Sequence, residues 1–451
     1  MTLLEKISKR DATITIIGLG YVGLPTALAF SKKGFNVIGL DIEKKKIDLI
    51  NKGICPINDK KISNDLIKEV KSGKFIASND YKSSISISDV ILLVVPTPVN
   101  NAKEPDLSFV KSASESISKY LKKGQLVILE STVYPGVTEE IVLPILEKSG
   151  LKTPEDFGLA YCPERFNPGD SAHTVEKVVR VIGAINKNWT DIANALYSNI
   201  QKTFATIDIK TAEAAKVIEN TQRDLNIALI NEIALICEKI NIDVIDVIEA
   251  ASTKWNFIKF LPGPGVGGHC LPHDPYYLVK KAKEKGYHAR IILAGRNLND
   301  EMPLHVRDLI IKGLNVKKKS LNGSNVLIFG ASYKKNIDDL RTSPTEILVN
   351  SLVKYEANLC INEPYCKDEV IFNVAKMNDI SIEILCKFDV LVFMAAHDAY
   401  NKIDYDLLRK CIKENSELII IDGARMFDGE KLMKMGYVYL GIGDGKNNSM
   451  N

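Results

Sequence analysis

The feature that most constrains the fold is a glycine pattern, Gly-Leu-Gly-Tyr-Val-Gly at 18–23, between a β-branched run and a helical segment. The run Thr13–Ile17 predicts a strand, and Leu24–Lys33 predicts a helix. In such a turn the first glycine permits a sharp bend, the second lets the backbone approach a pyrophosphate, and the third lets the helix pack on the sheet. The pattern predicts a dinucleotide site in a parallel sheet.

An acid at the end of the next predicted strand strengthens this prediction. Asp41 lies eighteen residues after Gly23, where a carboxylate can accept hydrogen bonds from a ribose 2′-hydroxyl. It would repel a 2′-phosphate, so we expect NAD rather than NADP, although Lys46 one helical turn further on could soften that preference. A glycine turn with no ligand is the weaker alternative, because strand, helix and acid all occur at the expected spacing.

Composition limits the classes of protein to which the chain can belong. Its 451 residues are 45% hydrophobic and 25% charged, as in globular proteins, and suggest about two to four domains. The net charge is only +3, which does not indicate the clustered basic excess that nucleic-acid-binding proteins have. The apolar runs are too short to span a membrane. We also expect no signal peptide, no metal site and no disulfide framework among the eight cysteines, hence a cytoplasmic protein.

The order of elements predicts an α/β fold with two Rossmann-like domains. Strands and helices alternate up to about residue 207, a long helix or a helix pair without Gly or Pro follows at 209–239, and further helix extends to about Ala251. After a polar linker at 317–325 the alternation restarts, and residues 443–451 are expected to fray. We therefore expect an α/β domain at 1–207, a central long-helix region at 208–312 and a second α/β domain at 313–451.

A glycine- and proline-rich segment at 261–275 contains the most reactive candidate, Gly267-Gly-His-Cys270, followed by Asp274. Glycines let a ligand approach the backbone, and a helix starting near Pro275 would favour a thiolate. Asp274 could act as a base or orient a water. From the residues alone, a nucleophilic thiol and a buried cysteine in a turn are equally open.

Polar residues on the long helix and after predicted strands are further candidates. Lys216 and Asn220 share a helix face that Asp224 continues, but by themselves they fit a solvated face better. Thr132 and Glu164 follow apolar strand runs, and ligands of doubly wound sheets lie at the carboxyl ends of strands. Turn chemistry and surface charge are the alternatives for these two.

Taken together, the motifs resemble the UDP-glucose/GDP-mannose dehydrogenase family from Thr13 to about Asp428. In the family's order occur the glycine pattern, Pro-Thr-Pro at 96–98, Glu-Ser-Thr at 130–132, Pro-Glu-Arg at 163–165, Lys-x-x-x-Asn-Thr at 216–221, the Gly-Gly-His-Cys segment, and Lys334 to Arg341. The resemblance implies oxidation of C6 of a nucleotide-linked sugar to a carboxylate with two NAD⁺, and a homodimer or larger homo-oligomer formed through the central helices.

The resemblance also implies roles for individual residues. Cys270 would hold C6 as a thiohemiacetal and then a thioester, Lys216 and Asn220 would stabilise the oxyanion, Asp274 and Thr132 would position water, and Glu164 would assist proton transfer or substrate placement. The implied cofactor-binding residues are Gly18, Gly20, Tyr21, Val22, Gly23, Asp41, Lys46, Pro96, Thr97, Thr132 and Arg341. The implied substrate-binding residues are Glu164, Arg165, Lys216, Asn220, Arg223, Gly267, Gly268, His269, Lys334 and Arg425.

Departures from plain UDP-glucose dehydrogenases favour a UDP-N-acetylhexosamine substrate. Pro168 stands where those enzymes have a second glutamate, and His269 where they have Ser. Tyr-Cys-Pro-Glu-Arg at 161–165 and Ile-Asp-Asp-Leu-Arg at 337–341 favour UDP-N-acetylmannosamine over UDP-N-acetylglucosamine. The alternatives are UDP-glucose, a two-electron hydroxyacid-type dehydrogenase, and a non-catalytic nucleotide-sugar sensor. The cysteine segment and the restarted α/β pattern disfavour the hydroxyacid type, and the retained chemical residues disfavour the sensor.

Overall fold

The computed structural model describes residues 1–57, 59–100, 102–165 and 177–448. The chain divides into two compact units, Met1–Glu219 with Tyr276–His288, and Asn220–Pro275 with Ala289–Asn451. None of the helices in these described ranges combines the length and apolarity needed to cross a bilayer.

Unit 1 contains an eight-stranded sheet. Its strands are β1 (Thr13–Ile17), β2 (Asn36–Leu40), β3 (Phe75–Ser78), β4 (Val90–Leu93), β5 (Leu126–Leu129), β6 (Gly158–Tyr161), β7 (Arg180–Ala184) and β8 (Thr203–Ala205). Their order is β3-β2-β1-β4-β5-β6-β7-β8, and every neighbouring pair is parallel except β6 with β7. The chain order reverses between β1 and β4, which is where doubly wound sheets bind ligands.

Helices cover both faces of this sheet. They are α1 (Leu3–Lys9), α2 (Gly23–Lys32), α3 (Lys44–Asn51), α4 (Lys60–Lys71), α5 (Tyr81–Ile87), α6 (Ser108–Ser118), α7 (Leu143–Leu146) and α8 (Lys187–Tyr197). Within β4, Val90 and Leu92 belong to one apolar core while Ile91 and Leu93 belong to another. Successive side chains of a strand point to opposite faces, so both faces of the sheet are buried.

One long helix, α9 (Ile209–Lys239), begins in unit 1 and ends in unit 2, and its bounds match the prediction. The other helices are α10 (Val244–Ala251), α11 (Asp274–Glu284), α12 (Arg290–Val316), α13 (Pro344–Val353), α14 (Ile382–Leu385), α15 (Tyr405–Glu414), α16 (Gly429–Lys434) and α17 (Gly445–Asn448). No helix was predicted over the span of α12. It packs on the second sheet, and a Cβ at its Gly313 would lie 2.8 Å from Ile419.

The sheet of unit 2 is parallel throughout. Its strands are β9 (Asn325–Phe329), β10 (Asn358–Asn362), β13 (Val390–Phe393), β14 (Ile419–Asp422) and β15 (Val438–Gly441), beside an antiparallel pair, β11 (Val370–Ile371) and β12 (Val374–Ala375). The order β10-β9-β13-β14-β15 again reverses, between β9 and β13. Two Rossmann-like sheets are thereby confirmed.

The expectation of a frayed end at 443–451 is wrong for the residues that the structure describes. Residues 445–448 form α17, and Asp444, Asn447 and Asn448 are buried. The Asn448 amide donates to the Gly441 carbonyl and accepts from the Gly441 N–H, which caps β15. The polar side chains that indicated fraying instead form local hydrogen bonds.

Candidate active site

The glycine turn after β1 has a different steric role at each glycine. Gly18 has φ +98°, and a Cβ there would lie 2.2 Å from the Val94 carbonyl oxygen. A Cβ at Gly23 would lie 1.8 Å from the Gly18 carbonyl oxygen, so α2 starts directly against the turn. Around Gly20 a Cβ would meet no described atom within 4 Å. The one open glycine is therefore the one whose backbone should approach a pyrophosphate.

Asp41 lies beside this turn and is held as an acceptor. Its carboxylate accepts the backbone N–H groups of Leu19 and Glu43, each at 3.0 Å, and the Lys46 ammonium at 3.0 Å. Burial alone would raise its pKa, but these hydrogen bonds outweigh burial and lower it. The turn and the acid together fit the pyrophosphate and ribose of a dinucleotide, and Lys46 is engaged with Asp41 itself.

Hydrogen bonds join the loops that follow β4 and β5. The Ser131 hydroxyl donates to the Val95 carbonyl at 2.7 Å and accepts the Val95 N–H at 2.9 Å. The Tyr277 hydroxyl donates to the Thr97 carbonyl, next to Pro96. Thr132 follows Ser131 and is half-buried. The structure therefore places the predicted Pro96, Thr97 and Thr132 on neighbouring strand ends.

Glu164, after β6, is almost fully buried and forms an ion pair with Arg180 of β7. The same guanidinium contacts Glu130, at the end of β5, with an N–O distance of 3.3 Å. Sequence reasoning missed Arg180, although a single charge within the apolar run Val-Val-Arg-Val-Ile at 178–182 is the signal that could have found it.

Two further cations of unit 1, Arg165 and Lys216, lie on or against α9. Arg165 pairs with Glu219 of α9 at 2.7 Å and donates to the Val179 carbonyl at 2.6 Å. Lys216 of α9 is buried. In unit 2, Arg223 of α9 is exposed, and the next residue of the helix, Asp224, is buried.

In unit 2 the cysteine segment packs on the loop after β9. A Cβ at Gly267 would lie 2.4 Å from the Tyr333 Cβ, and a Cβ at Gly268 would lie 2.7 Å from the Tyr333 ring. Gly268 also has φ +86°, donates to the Arg341 carbonyl and accepts the Thr342 hydroxyl. Burial, reinforced by the nearby Asp339 and Cys270, raises the pKa of Tyr333 to about 12. Only glycine fits at 267 and 268, which explains the pair ahead of the cysteine.

Asp274 is tied to Cys270 and to α9. Its N–H donates to the Cys270 carbonyl at 2.8 Å, and its carboxylate accepts the Asn220 amide at 2.5 Å. Cys270 is half-buried, one helical turn before α11 begins at Asp274. The structure thus brings three predicted residues, Cys270, Asp274 and Asn220, into one cluster.

The predicted cations of the second sheet differ in their surroundings. Arg341 donates two hydrogen bonds to the Asp339 carboxylate, at 2.8 and 2.6 Å. Arg425 is mostly buried and pairs with Asp243 at 2.6 Å, so its guanidinium already has a protein partner. Lys334 lies half-buried in the loop after β9.

Two residues that sequence reasoning missed, Glu363 and His397, hold the loop of Lys334 at the β9/β13 reversal. The Glu363 carboxylate accepts the N–H of Ser332 at 3.0 Å and contacts the His397 Nε2 at 3.1 Å. The His397 Nδ1 accepts the Asn336 N–H at 2.8 Å. Burial would raise the pKa of Glu363, but its hydrogen bonds, led by that with His397, lower it.

Family comparison gives the cofactor and the class of substrate. Three domain models of the UDP-glucose/GDP-mannose dehydrogenase family match: the NAD binding domain at 12–201, the central domain at 210–301 and the UDP binding domain at 327–429. The chain belongs to this family. It is accordingly an NAD-dependent nucleotide-sugar dehydrogenase, which confirms the predicted resemblance, the α/β fold class and NAD as cofactor.

Individual relatives cover nearly the whole chain. The UDP-N-acetyl-D-glucosamine 6-dehydrogenase of Pseudomonas aeruginosa is 40% identical over 94% of this chain and 99% of its own. The UDP-N-acetyl-D-mannosamine dehydrogenase of Methanocaldococcus jannaschii is 37% identical over 99% and 100%. The structure of a UDP-D-ManNAc dehydrogenase from Pyrococcus horikoshii has a TM-score of 0.88 and 31% identity, covering 96% of this chain and 100% of that one.

Proposed function

We propose that this dehydrogenase oxidises the C6 hydroxyl of a UDP-N-acetylhexosamine, with UDP-N-acetyl-D-mannosamine as the favoured sugar, to the uronic acid. The observation that carries the proposal is a hydrogen-bonded cluster. In it the Asp274 N–H donates to the Cys270 carbonyl, and the Asp274 carboxylate accepts from the Asn220 amide. A half-buried thiol, four residues before a carboxylate that Asn220 holds in place, suits covalent capture of an aldehyde followed by hydrolysis. Relatives named for the glucosamine and mannosamine sugars support the substrate class.

Cys270 would supply the covalent chemistry. NAD⁺, when bound, accepts the hydride from C6 in each of two oxidations. After the first, the Cys270 thiolate adds to the C6 aldehyde and the oxygen takes a proton, which gives a thiohemiacetal. The second leaves a thioester, and water then adds to the acyl carbon while the thiolate leaves. In sum one alcohol, two NAD⁺ and one water give one carboxylate, two NADH and three protons.

The surrounding residues would stabilise and hydrate these species. Asn220 and Lys216 would stabilise the negative charge on the C6 oxygen, and Asp274 and Thr132 would position the hydrolytic water. Glu164 would orient the reacting hydroxyl or accept its proton. The proposed substrate contacts are Arg165, Arg223, Gly267, Gly268, His269, Lys334 and Arg425. The proposed NAD contacts are Gly18, Gly20, Tyr21, Val22, Gly23, Asp41, Lys46, Pro96, Thr97, Thr132 and Arg341.

We also propose the wider organisation that the sequence indicates. Residues 1–207 bind NAD, 208–312 form the dimerisation region and 313–451 bind the UDP-sugar. The protein acts in the cytoplasm as a homodimer or larger homo-oligomer. Light scattering coupled to gel filtration tests the oligomer, because a purely monomeric enzyme at assay concentration would contradict it.

A substrate panel with a cysteine variant tests the proposed chemistry. Purified enzyme is assayed for NADH formation on UDP-N-acetylmannosamine, UDP-N-acetylglucosamine and UDP-glucose, and each product is identified by mass. We expect a uronic acid from an N-acetylhexosamine substrate, and no acid from Cys270→Ser. Cys55→Ser, at another half-buried cysteine, is the matched control and should keep activity. Acid formation at the wild-type rate by Cys270→Ser would refute the covalent role.

A further inference from the structure

Arg180 is a fully buried arginine that connects two strand ends of unit 1. Its side chain has no exposed surface, and it starts β7 beside the end of β6. One guanidinium nitrogen donates to the Cys162 carbonyl at 3.1 Å and to Glu130 at 3.3 Å. A second guanidinium nitrogen donates to Glu164. The guanidinium therefore joins the end of β5 to the end of β6.

Other groups fix the guanidinium in place. The Tyr197 hydroxyl donates to Glu130, and the Tyr197 ring lies 5.1 Å from the Arg180 guanidinium carbon. Burial raises the pKa of Glu130, while the positive charge of Arg180 acts in the opposite direction. Two carboxylates, Glu130 and Glu164, thus share one cation.

This arrangement does more than hold strands together. Breaking a buried ion pair by removing one partner is costly, because it leaves the other charge uncompensated. Here removal of Arg180 would leave Glu130 and Glu164 without its charge, and Glu164 lies at a strand end where ligands of this fold bind. The remaining Glu164 oxygen accepts the Arg165 N–H at 2.8 Å, so both oxygens have fixed donors and the carboxylate has one preferred orientation.

We propose that Arg180 is a positioning residue for Glu164, which it holds as a carboxylate acceptor oriented toward the substrate, with Glu130 and the Tyr197 ring fixing the arginine. This inference rests on the proposed role of Glu164. It predicts that Arg180 affects turnover only through Glu164.

A double-mutant cycle on the full-length enzyme tests this coupling. Arg180→Gln should lower kcat at least tenfold, change KM for the UDP-sugar less than threefold and leave the NAD Kd within twofold. In a Glu164→Gln background the same substitution should change kcat less than twofold. The pH profile of kcat should shift in Arg180→Gln and match that of Glu164→Gln in the double variant. Arg180→Lys, which keeps the charge but lacks the planar fork, takes the same cycle if the glutamine variant does not fold.

Tyr197→Phe is the matched control, because it keeps the ring beside Arg180 and removes only a buried hydroxyl that is hydrogen-bonded to Glu130, without touching Glu164. It should lower the unfolding temperature and leave kcat within twofold. If Arg180 variants lower kcat equally in both backgrounds, the residue is structural and the inference fails while the function stands. If Glu164→Gln itself has wild-type kcat and pH profile, the proposed role of Glu164 fails, and the inference with it.

Discussion

Replacing Gly20 or Gly23 with alanine should separate cofactor binding from folding. Both are glycines of one turn, and each variant adds the same single methyl group. At Gly23 the added Cβ would lie 1.8 Å from the Gly18 carbonyl oxygen, well inside the 3.0 Å that real Cβ contacts respect. At Gly20 it would meet no described atom within 4 Å. Gly23→Ala should therefore damage the fold, whereas Gly20→Ala should damage only the ligand site.

The magnitudes follow from these distances. The atom facing Gly23 is backbone and cannot rotate away, so we expect a cost at the upper end of overpacking, about 3 kcal/mol. In a unit of this size that lowers the unfolding temperature by roughly 6–12 °C. Gly20→Ala should be neutral or stabilising by up to about 1 kcal/mol, because alanine restricts the unfolded chain. Its methyl group should weaken NAD binding at least tenfold, about 1.4 kcal/mol.

Calorimetric melting and NAD titration, done on both variants and the wild type, provide the assay. The expected pattern is an unchanged melt with weak NAD binding for Gly20→Ala, and an early melt for Gly23→Ala. Wild-type NAD affinity in Gly20→Ala would refute the placement of the pyrophosphate over this glycine. An unchanged melt in Gly23→Ala would refute the steric reasoning itself.

The remaining predictions concern charge and hydrogen bonding. Burial raises the pKa of Glu213 from 4.5 to about 7, so the folded state binds the proton of this carboxyl group more tightly than the unfolded chain does. About 3 kcal/mol of stability should therefore be lost as the pH rises from 4.5 through 7. Urea unfolding at each pH should show this slope, and Glu213→Gln should flatten it. Asn220→Ala removes the hydrogen-bond donor to Asp274 and should lower kcat about tenfold. NAD affinity, measured by fluorescence titration, should be unchanged, and wild-type turnover by this variant would refute the prediction. Arg425→Met leaves Asp243 unpaired and should destabilise the protein by about 3 kcal/mol in denaturant, whereas an unchanged midpoint would show the pair to be dispensable.

Local patterns were readable from the sequence and tertiary ones were not. Strand β1 and helix α9 were predicted with their observed bounds because β-branched runs and apolar periodicity are local properties. α17 was misjudged because its polar residues are satisfied by contacts with β15. Cys270, Asp274 and Asn220 were all named in advance, yet their hydrogen bonds required the fold. Arg180 stayed hidden because its partners lie 16 and 50 residues away along the chain.

The ratio of NADH formed to UDP-sugar consumed tests the central claim most directly. A limiting amount of UDP-N-acetylmannosamine, or of the panel sugar that turns over fastest, is taken to completion with excess NAD⁺. The NADH is read by absorbance, and the nucleotide sugar is measured by chromatography. Four-electron oxidation through Cys270 predicts two NADH per sugar, with uronic acid as the product. A ratio of one, with aldehyde as the product, would contradict it.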